Sequence, residues 1–394
     1  MLKVGLITTE FLPVWGGISS YSMNLCKGLA DKVEFHVLTT SSALDHTSLS
    51  QEESRIIEKV KIHAISPAAG VALPSLRYQL ALIRKLPKII KENNLDLIHT
   101  TAPMSDHIFR MIGCKIPHVL TYHTTLLAQR QATSLSGIKF RDMHSSEKAT
   151  LITYPFAKLI EQLSLARTKN IIAVSNTLTD ELINGYKYKG KITVIHNGID
   201  LDTFQPLEKQ PNSKRRVIFI SRLVAWKGPQ TVIKAIPRVL QEHKDVVFVL
   251  AGAGDTEPWE RMLNENGVPP DNYEFCYVNY GDMPQFYNSG DILILPSWLE
   301  GFPMCILEGM ASGLPAIASN VGDVAFLVKD NETGYLIDKG DHDALAAGLI
   351  RLLGDENLRN RMSQNAIDLV RSNYSAEAMG QRTFEVYQGL MENN

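Results

Sequence analysis

Glu300 and Glu308 bracket the run Glu300-Gly301-Phe302-Pro303-Met304-Cys305-Ile306-Leu307-Glu308. Two carboxylates eight residues apart become chemically interesting once the flanking pattern is read. Upstream, Asp291-Ile292-Leu293-Ile294-Leu295-Pro296-Ser297 is a short apolar run that stops at a proline. It predicts a buried parallel strand. Downstream, Met304 to Ala311 predicts a helix, with Pro303 just inside its start. Glu300 then sits in a loop at the carboxyl end of a strand, and Glu308 sits on the following helix. Open parallel sheets take ligands at that edge, and the free N–H groups of a helix start favour an anion there. The arrangement suits a ligand that carries both phosphates and hydroxyls.

A second pair belongs with the first. Ile218-Phe219-Ile220-Ser221-Arg222-Leu223-Val224-Ala225-Trp226-Lys227-Gly228 puts Arg222 just past a predicted strand and Lys227 in the loop leading to the next helix. Arginine holds phosphate oxygens in a planar fork, and lysine adds a point charge. Two cations at that edge can neutralise a diphosphate leaving group without a metal ion; an ordinary solvated basic loop has the same letters. Gly16-Gly17, between the first strand and the helix at Ile18, either lets the backbone approach a bulky anion or simply makes a turn. His123 ends the strand Val119-Leu120-Thr121-Tyr122 and either faces a ligand cleft or is a hydrogen-bonded structural histidine. Gly252-Ala253-Gly254-Asp255 begins like a dinucleotide fingerprint, but Glu257 stands where its third glycine belongs, leaving a strand-to-helix turn. The segment Thr124–Ser146 reads as a long irregular loop with Arg130, Lys139, Arg141 and His144 available to an acceptor. Asn197-Gly198-Ile199-Asp200 reads as a side-chain-tied structural turn at a domain junction.

These residues need a scaffold, and the alternation of strand and helix patterns supplies one. Short Val- and Ile-rich runs at Leu2–Thr8, Val33–Thr40, Val60–Ile65, Leu95–His99, His118–His123, Asn170–Ser175 and Lys191–His196 are separated by helical stretches such as Ile18–Leu29, Leu76–Glu92 and Lys148–Arg167. The alternation restarts after 201–214, which has the composition of a linker, with Arg216–Ser221, Val246–Gly252, Glu274–Val278, Ile292–Ser297 and Pro315–Ser319. Such a pattern predicts parallel sheets with helices on both faces. A chain of 394 residues suits two domains. These are 1–200 and 201–374, with the amphipathic stretch Ala376–Leu390 either staying with the second or crossing back to the first.

The totals limit the function classes. A net charge of −2 points away from nucleic acid. The halves differ: residues 1–200 carry 23 Lys and Arg against 16 Asp and Glu, and residues 201–394 carry 17 against 26. Cys26, Cys114, Cys276 and Cys305 lack metal-like spacing and read as reduced cytosolic thiols. The chain opens on a strand pattern with no secretory leader, and no apolar run approaches the roughly 18–20 residues that cross a bilayer. A cytoplasmic protein is expected. Arg77, Arg84, Lys85, Lys88 and Lys91 lie among Leu76, Leu80, Leu82, Ile83, Leu86, Ile89 and Ile90, which describes either a helix resting on an anionic membrane or a packed helix with a solvated basic face.

Taken in order, Gly16-Gly17, His123, Val174-Ser175, Asn197-Gly198-Ile199-Asp200, Arg222 with Lys227-Gly228, the Glu300–Glu308 pair and Gly309-Met310-Ala311-Ser312-Gly313-Leu314-Pro315 resemble the retaining GT-B glycosyltransferases of family 4. The likeness runs over nearly the whole chain. It implies two Rossmann-like domains facing a cleft, with a nucleotide sugar held by the second. By that resemblance Arg222 and Lys227 grip the diphosphate, and Glu308 accepts hydrogen bonds from the ribose. Glu300 contacts the sugar ring, and the backbone of Phe302, Pro303, Met304, Cys305 and Ile306 lies near the sugar and phosphates. Val278 meets the base, Gly16 and Gly17 approach the diphosphate, and His123 lies beside the transferred sugar. The C-terminal helix of such enzymes commonly crosses back. Thr124 follows His123 where many relatives have Asp, and Pro303 replaces a frequent Gly or Ser, removing one main-chain donor.

The expected activity is transfer of a sugar from a UDP-sugar, or next a GDP-sugar, to a glycan or lipid-linked acceptor, with no metal or other cofactor. The rivals are a nucleotide-sugar epimerase, a glycan synthase on the same fold, and a non-catalytic sugar-nucleotide or membrane-binding subunit.

Overall fold

The computed structural model describes residues 1–41, 49–66, 74–101, 112–208 and 213–392. The chain forms two compact units: unit 1 contains 1–123, 156–200 and 375–394, and unit 2 contains 124–155 and 201–374. Neither is one continuous stretch of chain.

Unit 1 is built on a seven-stranded sheet of β1 (Leu2–Ile7), β2 (Val33–Thr40), β3 (Val60–Ser66), β4 (Leu97–Thr100), β5 (His118–Tyr122), β6 (Asn170–Ala173) and β7 (Lys191–Val194). Their order is β3-β2-β1-β4-β5-β6-β7, and every pair is parallel. Val4, Leu6 and Ile7 of β1 are fully buried, as expected of a strand covered on both faces. Unit 2 repeats the plan with β8 (Arg215–Ile220), β9 (Val246–Ala251), β10 (Tyr273–Cys276), β11 (Ile292–Leu295), β12 (Ala316–Ser319) and β13 (Gly334–Ile337). Its order is β10-β9-β8-β11-β12-β13, again parallel throughout. In each sheet the first strand has neighbours on both sides. The loops leaving β1 and β4, and those leaving β8 and β11, therefore diverge and open a crevice at the carboxyl edge.

The basic helix at Pro74–Asn93 uses its apolar face internally. Tyr78, Leu82, Leu86 and Ile89 pack with Ile7, Leu38, Ile65, Leu95 and Ile98 in one buried cluster. Arg77, Arg84, Lys85, Lys88 and Lys91 face solvent. Lys85 Nζ donates to the carbonyl of Ala64 at 2.9 Å, and Lys88 pairs with Glu92 at 3.7 Å. Of the two readings of this helix, the packed one describes its apolar stripe.

The helix Ala376–Glu392 belongs to unit 1. The Asn197–Asp200 turn receives it: the Ala376 amide donates to the Ile199 carbonyl at 2.8 Å, and Ile199 bridges Ser375. A Cβ on Gly198 would lie 2.2 Å from the Ser375 carbonyl oxygen, so only glycine permits this approach. Asp200 is ion-paired with Lys27 of the helix Gly17–Gly28.

Three sequence expectations need correction. Residues 124–146 are not irregular. A helix runs from Leu126 to Leu135, with the Thr125 hydroxyl accepting from the Ala128 amide at 3.1 Å, and a 3-10 turn follows at Phe140–Asp142. Only Ala132 and Thr133 of that helix are fully buried, so it lacks the long apolar repeat that announces a helix. The segment also joins unit 2, where Arg261 binds Asp142 at 3.0 Å and Gln230 donates to the Ser136 carbonyl at 3.2 Å. Within the expected linker, Phe204 is fully buried against Tyr280 and Tyr287; Pro211 and Asn212 lie outside the described residues. Finally, β13 was not anticipated, because Gly334-Tyr335-Leu336-Ile337 is short and opens on glycine. That glycine is needed, since a Cβ there would lie 1.8 Å from the Ala316 carbonyl oxygen on β12.

Candidate active site

The crevice between β8 and β11 collects the charged residues of unit 2. Leaving β8, Ser221 donates its amide to the Ala251 carbonyl at 3.0 Å, and Leu223 donates to the Ala253 carbonyl at 2.8 Å. A 3-10 turn at Ala225–Lys227 ends on Gly228, whose φ of +82° is a left-handed conformation. A Cβ at Gly228 would lie 2.0 Å from the Pro296 carbonyl oxygen. The loop after β8 is thereby laid directly on the loop after β11, and the Trp298 amide joins them by donating to the Trp226 carbonyl at 2.8 Å. The result is an ion pair: Lys227 Nζ stands 2.7 Å from Glu300 Oε1, with side chains 15% and 7% exposed. Trp226 lies under both cations, its ring centroid 5.2 Å from the Arg222 guanidinium and 4.6 Å from Lys227 Nζ. Such stacking fixes the cations without consuming their hydrogen-bond donors.

The opposite wall is the start of the helix Met304–Ala311. Pro303 is its cap residue in an extended conformation, one position earlier than the sequence pattern predicts, and no side chain caps this end. The first-turn amides present a partial positive charge there. Gly322, at φ +58°, backs the loop: a Cβ there would lie 2.1 Å from the Glu300 carbonyl oxygen, and the Asp323 amide donates to the Gly301 carbonyl at 3.0 Å. Glu308 is buried one turn in, where Tyr287 donates its hydroxyl to Oε2 at 2.8 Å. Burial first, and the Glu308 charge second, push the Tyr287 hydroxyl well above its ordinary pKa, so it remains a donor. Burial, aided by the Glu300 charge, likewise raises the Cys305 thiol and keeps it neutral. Val278 sits two residues past β10, at the edge of the sheet and two strands away from β8.

Unit 1 presents its own edge. Gly16 caps the helix Gly17–Gly28, and the Ser19 hydroxyl accepts from the amides of Gly16 at 3.1 Å and Trp15 at 3.2 Å. His123 follows β5, and its Nε2 is buried without a hydrogen-bond partner. Burial lowers its pKa to about 4, so the ring is neutral at pH 7. Tyr21 packs edge-on against it at 4.8 Å. Behind Tyr21 runs a buried chain of polar contacts: Tyr21 hydroxyl to Thr121 Oγ1 at 3.0 Å, Thr121 to His99 Nε2 at 2.6 Å, and His99 Nδ1 to the Tyr387 hydroxyl at 2.5 Å.

The structure thus brings Arg222, Lys227, Glu300 and Glu308 to one switch point, and Gly16, Gly17 and His123 to the carboxyl edge of the other sheet. Sequence reasoning missed Trp226, Tyr287, Gly322 and the Tyr21–Tyr387 chain. Trp226 adjoins Lys227 and could have been found; the partners of Glu308 and His99, 21 and 288 residues away along the chain, left no local signal. Among the described residues no group of three His, Cys, Asp or Glu side chains is placed to hold a metal ion.

Two parallel-sheet α/β units, each with a reversal of strand order, are the fold class of the GT-B glycosyltransferases. The family model for glycosyl transferases group 1 matches residues 202–369, and that for Glycosyltransferase Family 4 matches residues 15–203. The chain belongs to this group 1, family 4 class of glycosyltransferases. It is 25% identical to the UDP-Gal:alpha-D-GlcNAc-diphosphoundecaprenol alpha-1,3-galactosyltransferase of Escherichia coli, over 99% of this chain and 98% of the relative. Its fold is similar to that of sucrose-phosphate synthase from Thermosynechococcus elongatus, with a TM-score of 0.83 at 19% identity and full coverage of both chains. It is also similar to Anabaena Alr3699/HepE solved in complex with UDP-glucose, with a TM-score of 0.72 at 17% identity over 99% of this chain and 100% of that one.

Proposed function

We propose that this glycosyltransferase moves a sugar from a nucleotide-diphosphate sugar, UDP-linked first and GDP-linked next, to a glycan or lipid-linked acceptor with retention at the anomeric carbon. The observation that carries this reading is the grouping of Arg222, Lys227, Glu300 and an uncapped helix start around one crevice. Arg222 and Lys227 hold the diphosphate, and the amides of the 304–306 turn face the phosphates and sugar. Lys227 exchanges its bond to Glu300 for one to phosphate, which frees Glu300 for the sugar hydroxyls. Glu308, held by Tyr287, takes the ribose. Val278 meets the base, and Gly16 and Gly17 approach the diphosphate.

The bond from the anomeric carbon to the diphosphate loosens first, leaving an oxocarbenium-like centre. The two cations and the helix start stabilise the departing charge, so metal-independent transfer is part of the reading. The acceptor attacks from the face the phosphate leaves, and that phosphate helps to take its proton. Glu300 is accordingly not a nucleophile, and the two-carboxylate scheme of glycoside hydrolysis does not apply. A neutral His123 with an unfilled buried nitrogen suits a contact to the transferred sugar. Peripheral contact with the inner membrane face by a cytoplasmic enzyme fits a lipid-linked acceptor, and the name of the Escherichia coli relative supports such a substrate.

The test is incubation with UDP- and GDP-sugars and undecaprenyl-diphosphate-linked or free glycan acceptors, followed by NMR of the product. Release of nucleotide with an anomeric configuration matching the donor is expected. An isomerised donor, an inverted product or no nucleotide release across the panel overturns the reading.

A further inference from the structure

The opposite edge of the unit 1 sheet carries a second feature. At the amino ends of β5, β6 and β7 lies a cleft of about 890 Å³. Lys115, Arg167, Lys169 and Lys191 line it, all exposed, and among the described residues no carboxylate does. His123 follows β5 and Gly17 follows β1 at the carboxyl edge of the same sheet, so the cleft is separate from the candidate active site.

The helix Ser145–Leu165 leads straight into this cleft, since Ala166 and Arg167 continue from its last turn. Its outward face is apolar. Phe156, Leu159 and Leu163 are 70%, 52% and 48% exposed, and their spacing of three and four residues stacks them on one side. Arg167 follows Leu163 by four, so the stripe ends at the cationic cleft. The only carboxylate of the 156–165 stretch, Glu161, points inward, where it accepts from the hydroxyls of Tyr122 and Tyr186. An exposed aromatic and aliphatic stripe joined to four cations, with the carboxylate of its own helical stretch withdrawn, matches an amphiphile of opposite pattern: acyl chains joined to phosphate.

We infer that this face of unit 1 is a docking surface for an anionic phospholipid bilayer. Phe156, Leu159 and Leu163 enter the acyl boundary, and Arg167, Lys169, Lys115 and Lys191 take headgroup phosphates, the arginine through its planar fork. The inference rests on the peripheral membrane contact of the proposed function, which it locates, and is independent of the transfer chemistry. It also moves the membrane contact away from the helix Pro74–Asn93, whose apolar stripe is spent on the core.

The experiment is co-sedimentation of the full chain with vesicles of phosphatidylglycerol and phosphatidylcholine, against phosphatidylcholine alone. Binding only to the anionic vesicles is expected, weakened about tenfold or more by Phe156→Ser with Leu163→Ser, and separately by Arg167→Gln with Lys169→Gln. Thermal melts of both variants should match the parent, because these side chains face solvent. Calorimetry with inorganic phosphate separates the sources. Saturable phosphate binding in the absence of vesicle binding overturns the proposal, as does vesicle binding that survives both variants but is lost on changing Arg77, Arg84 and Lys88 to Gln. A parent dimer made monomeric by Phe156→Ser assigns the stripe to a second copy and overturns it too. Nucleotide release to a soluble acceptor, measured in parallel, reports on the transferase reading independently.

Discussion

Lys227 and Glu300 meet 2.7 Å apart although 73 residues separate them, because the loops after β8 and β11 are pressed together at Gly228 and Pro296. The pair stands at the point where the strand order of unit 2 reverses. It holds a cation and a carboxylate in place before any ligand arrives. On the proposed reading an incoming phosphate competes with Glu300 for the ammonium group, so binding and reorganisation of the pair are one event.

Removing either partner should therefore do more than delete a contact. Lys227→Met leaves a nearly buried carboxylate alone, and Glu300→Gln leaves the lysine without its counter-charge. Each single change should cut turnover by about 10²-fold or more. In urea denaturation the double variant should be less destabilised than the two singles added together, by about 0.5–3 kcal/mol. Additive losses would show that the pair is not coupled.

Gly228 should tolerate no side chain. Gly228→Ala meets both a left-handed φ of +82° and a carbonyl oxygen 2.0 Å from the new Cβ. Gly267 offers the comparison, with φ +67° and nothing within 4 Å. Gly267→Ala should cost about 1–2 kcal/mol from the backbone alone. Gly228→Ala should cost more and should also lower activity by displacing Lys227. Thermal melts with turnover measurements check both, and equal costs would refute the close approach.

Tyr287→Phe removes a donor from Glu308 and leaves its shape otherwise intact. A buried carboxylate that loses a hydrogen bond costs about 1–3 kcal/mol. Nucleotide affinity measured by calorimetry should fall several-fold while the helix Met304–Ala311 stays folded. Unchanged affinity would place Glu308 outside the ribose contact.

Acid should weaken the fold through unit 1. Burial lowers His123 to about 4 and His99 to about 3, below the unfolded value near 6.5. Between those limits the unfolded chain holds more protons, so stability is complete above about pH 6.5 and falls as the pH drops toward 4 and then 3. Each histidine contributes at most roughly 1.4 kcal/mol per pH unit across its window. Glu34, lowered to about 2 chiefly by its hydrogen bond from Lys61, adds a further loss below about pH 4.5. The urea midpoint should decline from pH 7 to pH 4.5, and His99→Gln should flatten the decline. A midpoint independent of pH would contradict the buried neutral rings.

The sheets were legible in the sequence because their strands are short apolar runs closed by Pro, Gly or Ser, as at Ile292–Leu295. The charged residues of the crevice were legible for a related reason. Each follows such a run, so its place at the carboxyl edge comes with the strand. Where burial was shallow the pattern failed. The helix Leu126–Leu135 buries two residues fully and left no repeat, and β13 begins on a glycine kept for closeness to β12. The long-range contacts were illegible altogether. Nothing near His99 announces Tyr387, and nothing near Glu308 announces Tyr287.

The return of the helix Ala376–Glu392 to unit 1 sets an order of events during synthesis. Unit 1 begins at the first strand, yet His99 waits for Tyr387, and Gly28 and Gly198 wait for the backbone at Ser375 and Ala376. All of unit 2 must leave the ribosome before those vacancies are filled. A chain interrupted after Tyr374 would carry every residue proposed above to bind the donor and still have an open seam along the helix Gly17–Gly28. The helix Ala376–Glu392 therefore closes unit 1 only after unit 2 has been translated.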